Sequence, residues 1–119
     1  MRELETIQKE DNLNYVRAID DRDPSNANHE YEVVRKDTDE VLLTVRHQKG
    51  PRNEESSIPG VLDVDLLEIV RDRLEGFQAG PYSCVFNEMA LTHVEQALHA
   101  LNERVIDRKR REVLGKNEQ

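Results

Sequence analysis

The chain has no tryptophan, a single cysteine, two phenylalanines and three tyrosines, and only 36% of its 119 residues are hydrophobic. Each scarcity excludes something. One cysteine, Cys84, rules out an intramolecular disulfide framework and any zinc site built wholly from cysteines. So few aromatics leave little bulky material for a core, so a chain of this length is expected to gain cover by forming a homo-oligomer. No apolar stretch approaches the roughly 20 residues of a membrane span, and the charged opening from Met1 to Glu10 does not read as a signal peptide. An intracellular protein without a membrane partner is the expectation.

Catalytic signatures are missing too. No HExxH, CxxC, GxSxG or Walker-type run occurs, so metal-dependent or nucleophilic catalysis has no visible support, and neither catalytic residues nor metal ligands are assigned. His93 and His99 lie six apart, which is not ligand spacing on one helix face, and His29 and His47 fall in separate segments. Cys84 beside a histidine would make a catalytic pair, but a lone thiol at a helix start reads first as packing. Asp37/Asp39 and Asp63/Asp65 read as turn and cap residues rather than a cation site. No cofactor is expected.

The formal net charge is −8. It is unevenly spread: residues 1–75 carry 11 Lys/Arg against 19 Asp/Glu, and residues 76–119 carry 6 against 6. An acidic chain is a poor general nucleic-acid binder, because nonspecific phosphate binding needs a net basic face. The terminal cluster of Arg104, Arg108, Lys109, Arg110 and Arg111 can still hold a small anion while the acidic remainder repels long polyanions.

Hydrophobic patterning predicts an α+β chain. Residues 1–12 read as a short frayed helix or a disordered arm. Strands are expected over Asn14 to Ile19, Tyr31 to Arg35 and Val41 to Arg46, the last two forming a hairpin around Lys36 to Glu40. The prolines and glycine of Pro51 to Gly60 mark a loop. A β-rich region over 1–60 and a helical hairpin over 61–119, within one folding unit, follow. Asp63 or Asp65 caps the first helix, whose seam is Leu66, Val70, Leu74 and Phe77, and Gly76, Gly80 and Pro81 end it. The second helix starts between Ser83 and Asn87 and runs to about Arg111, with Gly115 as its stop, a length of roughly 40 Å. Its seam of Leu91, Val94, Leu98, Leu101 and Val105 is spaced 3-4-3-4. A first helix about half as long would leave the far end of that seam for another subunit.

Two anion-binding regions stand out. Arg104 and Arg108, four apart, share a helix face and suit one phosphate or two, although basic residues in the last turns also complement the macrodipole. The start of the second helix offers free N–H groups beside Phe77, Tyr82 and Phe86, which can stack on a base or staple the corner.

The run Phe77-Gln78-Ala79-Gly80-Pro81-Tyr82-Ser83-Cys84 continues into Asn87, Met89-Ala90-Leu91-Thr92, Glu95, Ala97-Leu98, Leu101, Arg104, Asp107-Arg108, Val113 and Gly115. Over roughly residues 61–117 it resembles the helical hairpin domain of phage proteins that sequester immune signalling nucleotides, a group that includes the anti-Thoeris and anti-CBASS sponges. The β-rich N-terminal part is closer to the anti-Thoeris type. Upstream, Asn26 to Val33 and Gln48 to Pro51 are similar to segments that precede this hairpin in many phage proteins. The resemblance implies a non-enzymatic protein of the host-cell cytoplasm that binds a cyclic nucleotide signal and leaves it intact. The implied signals are a cyclic ADP-ribose isomer and cyclic oligonucleotides, and the implied assembly is a homo-oligomer, often a hexamer. By resemblance, Phe77 stacks on the ADP-ribose-type ligand, Asn87 hydrogen-bonds it, Thr92 joins the ligand-binding set, and Arg104 and Arg108 hold cyclic oligonucleotide phosphates. Val85-Phe86 stands where many relatives have Arg-Glu, His93 replaces a common lysine, and Glu112 replaces a glycine. The alternative class is a phage interaction or regulatory protein whose oligomeric hairpin binds a host protein. An enzyme that degrades such signals ranks last.

Overall fold

The computed structural model describes residues 1–51 and 54–111. Four strands precede two helices: β1 (Arg2–Glu3), β2 (Asn14–Ala18), β3 (Glu30–Arg35), β4 (Val41–Arg46), α1 (Asp63–Ala79) and α2 (Val85–Arg110). The strands form one antiparallel sheet in sequence order, so the α+β reading holds. Contacts divide the chain into two compact units, 1–49 and 50–119, where one folding unit with an internal boundary at residue 60 was expected.

The three longer strands fall within a residue of their predicted positions. Alternation puts Val16, Ala18, Tyr31, Val33, Leu43 and Val45 on one face through the pairs Val16↔Val33, Ala18↔Tyr31, Val33↔Leu43 and Tyr31↔Val45. The other face carries the Arg17–Glu32 ion pair at 2.8 Å. Val34 sits on that second face beside Tyr15, at a register shift that leaves β4 one residue longer across the bulge. Asp39 closes the β3–β4 turn at φ 58°, a left-handed conformation that aspartate tolerates better than most residues.

Residues 1–12 are a correction. Arg2–Glu3 pairs with Arg17 and Ala18 as a fourth strand, and Arg2 donates to the buried Asn28 at 2.9 Å. A two-residue strand has no periodicity of its own, so only its pairing partner specifies it. Asn28 in turn donates to the Asp20 backbone and side-chain oxygens at 2.7 and 3.0 Å. The Asp20 carboxylate also accepts from the His29 backbone N–H at 2.9 Å, and these donors hold its pKa below the usual value against the opposing effect of desolvation.

Within the same loop, Asp23 accepts from the backbone N–H and the hydroxyl of Ser25 and contacts His29 Nε2 at 2.6 Å. The Ser25 hydroxyl foremost, with His29 behind it, lowers the Asp23 carboxyl to about 2 from 3.8. A depressed folded-state pKa means that the carboxylate contributes its full stabilisation above the ordinary value and loses it as pH falls through the folded one. The β2–β3 loop is therefore expected to keep its geometry at pH 4 and to open as pH approaches about 2. Ser25 and Asn26 amide shifts followed by NMR between those limits measure this, and a transition centred near pH 4 would refute it.

In the helical unit the first helix ends at Gly80, as the Gly-Pro punctuation and a seam reaching Phe77 suggested. Gly76 lies inside α1, and a Cβ there would meet nothing within 4 Å, so this solvent-facing glycine weakens the helix without ending it. The N-cap is Leu62, and neither aspartate occupies that position. Asp65 at N3 accepts the Leu62 backbone N–H at 2.8 Å, the backward half of a capping box. α2 matches its predicted span, and the proposed stop at Gly115 lies outside the described residues. Among the described residues no helix is long and apolar enough to cross a membrane.

The helices run antiparallel, tied near the connector by Gln78 to Glu88 at 3.2 Å and midway by Arg71 to Glu95 at 3.0 Å. At 17 residues α1 reaches further along α2 than half its length, so Val64 faces the Leu98 to Val105 stretch across an open groove of about 350 Å³. No residue of either helix is fully buried. Ala18 and Val34 of the sheet are the buried hydrophobic residues among those described.

Candidate functional site

The corner between α1 and α2 is built from short-range chemistry. Gly80 and Pro81 interrupt the helical run, and α2 restarts at the extended N-cap Cys84. The Cys84 thiol accepts the Asn87 backbone N–H at 3.4 Å, and its carbonyl accepts the Glu88 N–H at 3.1 Å. Cys84 is therefore a capping residue. Sulfur is a weak acceptor, so the cap receives help from α1: the Gln78 side-chain amide accepts the Cys84 N–H at 3.0 Å and donates to its carbonyl at 3.1 Å.

Around this corner sit the two ligand candidates. Phe77, in the last turn of α1, is 38% exposed, with the Arg73 guanidinium over its ring at 5.4 Å from the centroid. Asn87, in the first turn of α2, is half-buried and donates from its side chain to the Tyr82 carbonyl at 3.4 Å. Tyr82, Val85, Phe86 and Met89 all lie exposed nearby in sequence, so the three aromatics of the corner are not stapled into a core. A flat ring, an amide and the positive end of a helix dipole make a combination suited to a base or ribose carrying phosphate.

The basic end of α2 is elsewhere. Arg104 is exposed and Arg108 half-buried on one face, and Asp107 pairs with Arg111 at 3.1 Å. Asn87 and Arg104 are 17 residues apart on one continuous helix, or about 26 Å at 1.5 Å per residue. No small nucleotide touches both within one subunit. The structure thus brings Phe77 and Asn87 to one end and Arg104 and Arg108 to the other.

The sequence itself decides the family. A family profile described as "Acb2/Tad1, hairpin domain" matches residues 39–105, more than half of the chain. The chain belongs to the Acb2/Tad1 hairpin domain family. A curated relative, "Thoeris anti-defense 1" of Bacillus phage SBSphiJ7, is 41% identical over 86 residues, which is 72% of this chain and 60% of the relative. The chain therefore spans less than two thirds of the length of that relative.

The Acb2/Tad1 hairpin match takes in Phe77, Asn87, Thr92 and Arg104 and ends before Arg108. Thr92 is exposed and five residues beyond Asn87, about 140° further round the helix, so it joins neither pair on one face of α2. In the middle of the hairpin, Arg71 is held by Glu68 at 3.3 Å, Glu75 at 3.1 Å and Glu95 at 3.0 Å, with the Glu95 hydrogen bond foremost in raising its pKa. Three carboxylates around one guanidinium make the adjoining groove, which also holds His99 and Asn102, unfavourable for an anion. Arg73 and Gln78 were not singled out from the sequence. The i,i+4 spacing of Arg73 and Phe77 carried a readable signal, whereas Gln78 reaches a partner across a turn and carried none.

Proposed function

We propose that the protein is a phage anti-defence protein that binds a cyclic nucleotide immune signal and holds it intact, starving a host effector of its activator. Membership of the hairpin family and similarity to a protein named for Thoeris anti-defence support the class. The observation that carries the ligand is the corner: a partly exposed phenylalanine in the last turn of α1 and a half-buried asparagine in the first turn of α2, at a helix N-terminus. A cyclic ADP-ribose isomer fits this end, through Phe77 stacking and Asn87 hydrogen bonding. Cyclic oligonucleotides fit the Arg104/Arg108 end. Thr92, on a different face, is assigned to a contact completed by another subunit.

Exposed Val85, Phe86 and Met89, at 64%, 75% and 53%, favour a protein neighbour beside the corner. We assign that neighbour to a second copy of the chain, in a homo-oligomer such as the hexamer the resemblance implies. Burial between subunits then slows ligand release, which stoichiometric capture requires. A host protein on the same residues is the second reading, in which the chain acts as an interaction or regulatory protein.

Purification from cells making the signal distinguishes these. Absorbance near 260 nm is expected to persist through gel filtration and to be released by heat as an unaltered small molecule. An altered product would indicate an enzyme. Absence of nucleotide, together with no heat on titration with glycocyclic ADP-ribose or a panel of cyclic di- and trinucleotides, would transfer the assignment to the host-protein reading.

A further inference from the structure

The corner depends on one residue that the resemblance does not assign. Gln78 accepts from the Cys84 N–H at 3.0 Å and donates to the Cys84 carbonyl at 3.1 Å through its single carboxamide, and adds a third bond to Glu88 at 3.2 Å. A carboxamide holds an acceptor oxygen and a donor nitrogen side by side in one plane, so it can accept from an N–H and donate to the carbonyl of the same residue at once. The clamp joins α1 one residue after Phe77 to the N-cap of α2 three residues before Asn87. The thiol at that N-cap is a weaker acceptor than the oxygen of serine, threonine or aspartate, so much of the restraint on the helix start comes from Gln78.

Gln78 does not need to touch the ligand to govern its binding. Phe77 and Asn87 stand on different helices, and their separation is set by how α2 restarts after the turn. With the clamp closed, the ring and the amide are held in place before ligand arrives, and the ordering cost of binding falls. With it open, the Cys84 peptide can rotate, and Asn87, whose backbone N–H is bonded to the Cys84 thiol, moves with it.

We propose that Gln78 is a positioning residue for the corner, presetting the geometry between Phe77 and Asn87 that recognises a nucleotide of the ADP-ribose type. This inference rests on the nucleotide-binding reading above, and the following test separates the two. Glycocyclic ADP-ribose is titrated calorimetrically into the full chain and into Gln78→Ala, Asn87→Ala and the double variant, with amide hydrogen exchange at Cys84 and thermal melts run alongside. The expected result is a melt lowered by only a few degrees, lost protection of the Cys84 N–H in Gln78→Ala, and an affinity lower by about tenfold, one decade for the reciprocal bond pair. In the Asn87→Ala background the further loss is expected to stay below about threefold, because the two residues act through one contact. A destabilising role would instead lower affinity equally in both backgrounds, and that outcome overturns the proposal. So does tight binding by wild type with no change in Gln78→Ala. If wild type itself gives no heat, the nucleotide-binding reading fails and the positioning role falls with it, while the Cys84 exchange data still decide whether the clamp exists.

Discussion

Phe77→Ala is expected to lower the affinity for glycocyclic ADP-ribose by on the order of 30-fold, with the fold intact. Base stacking on an aromatic ring is worth about 1–3 kcal/mol per base, and the middle of that range gives the quoted loss. The stability cost should stay below that of a core truncation, because the ring is 38% exposed and neither helix has a fully buried residue. The folded protein loses the contact with Arg73, a cation–π interaction worth about 0.5–1 kcal/mol at an exposed site, together with the covered part of the ring. Phe77→Tyr keeps the stacking face and should bind within a few-fold of wild type. Phe77→Leu keeps apolar bulk without the π-face and should bind nearly as weakly as the alanine variant. Calorimetric titration of the three variants checks the assignment. Equal affinity for Phe77→Leu and wild type would mean that the ring serves as apolar packing only.

The sheet and the helical hairpin were legible because their signals are local. The short apolar run of Val41 to Arg46 between a polar turn and the Gly50-Pro51 break defines β4 without reference to anything distant. The 3-4-3-4 seam and the Gly-Pro break likewise place α2 to within a residue or two. What escaped was non-local or masked by a misleading residue. β1 exists through its pairing with Arg17 and Ala18, which lie well beyond any window that reads Arg2 and Glu3. Gly76 read as a stop because glycine usually weakens helices by about 1 kcal/mol, yet the contacts of α1 with α2 outweigh one such residue. Asp65 was recognised as a cap with the wrong geometry, since a carboxylate three residues into a helix can serve the N-cap backbone from behind.

The candidate site was legible in unequal parts. Exposure of Phe77, Tyr82 and Phe86 could not be read from their clustering, because three aromatics in ten residues fit a corner staple as well as a binding surface. Solvent exposure favours the second role. Arg104 and Arg108 share a face by spacing alone, and their distance from Asn87 follows from a helix that runs unbroken from Val85 to Arg110, as its seam predicted. That continuity keeps the two expected anion-binding regions at opposite ends of α2.

The separation makes the second large prediction selective. Replacing Arg104 and Arg108 together by alanine is expected to raise the dissociation constant for a cyclic trinucleotide about 100-fold, with the fold intact. Hydrogen bonds to charged groups contribute about 1.5–3 kcal/mol each, so two at the lower figure exceed that factor. At about 26 Å from Asn87 along the helix, screening by salt leaves the corner insensitive, and glycocyclic ADP-ribose affinity should stay within about twofold. Lysine at both positions keeps the charge but loses the planar fork that grips phosphate, so it should recover only part of the loss. Because Arg108 is half-buried, its alkyl stem also covers apolar surface, and the lysine pair controls for that packing. Titration of both ligands into the alanine and lysine pairs resolves the alternatives. A parallel loss for both ligands would mean that the two ends meet across subunits in one composite pocket, and unchanged trinucleotide affinity would remove the arginine site altogether.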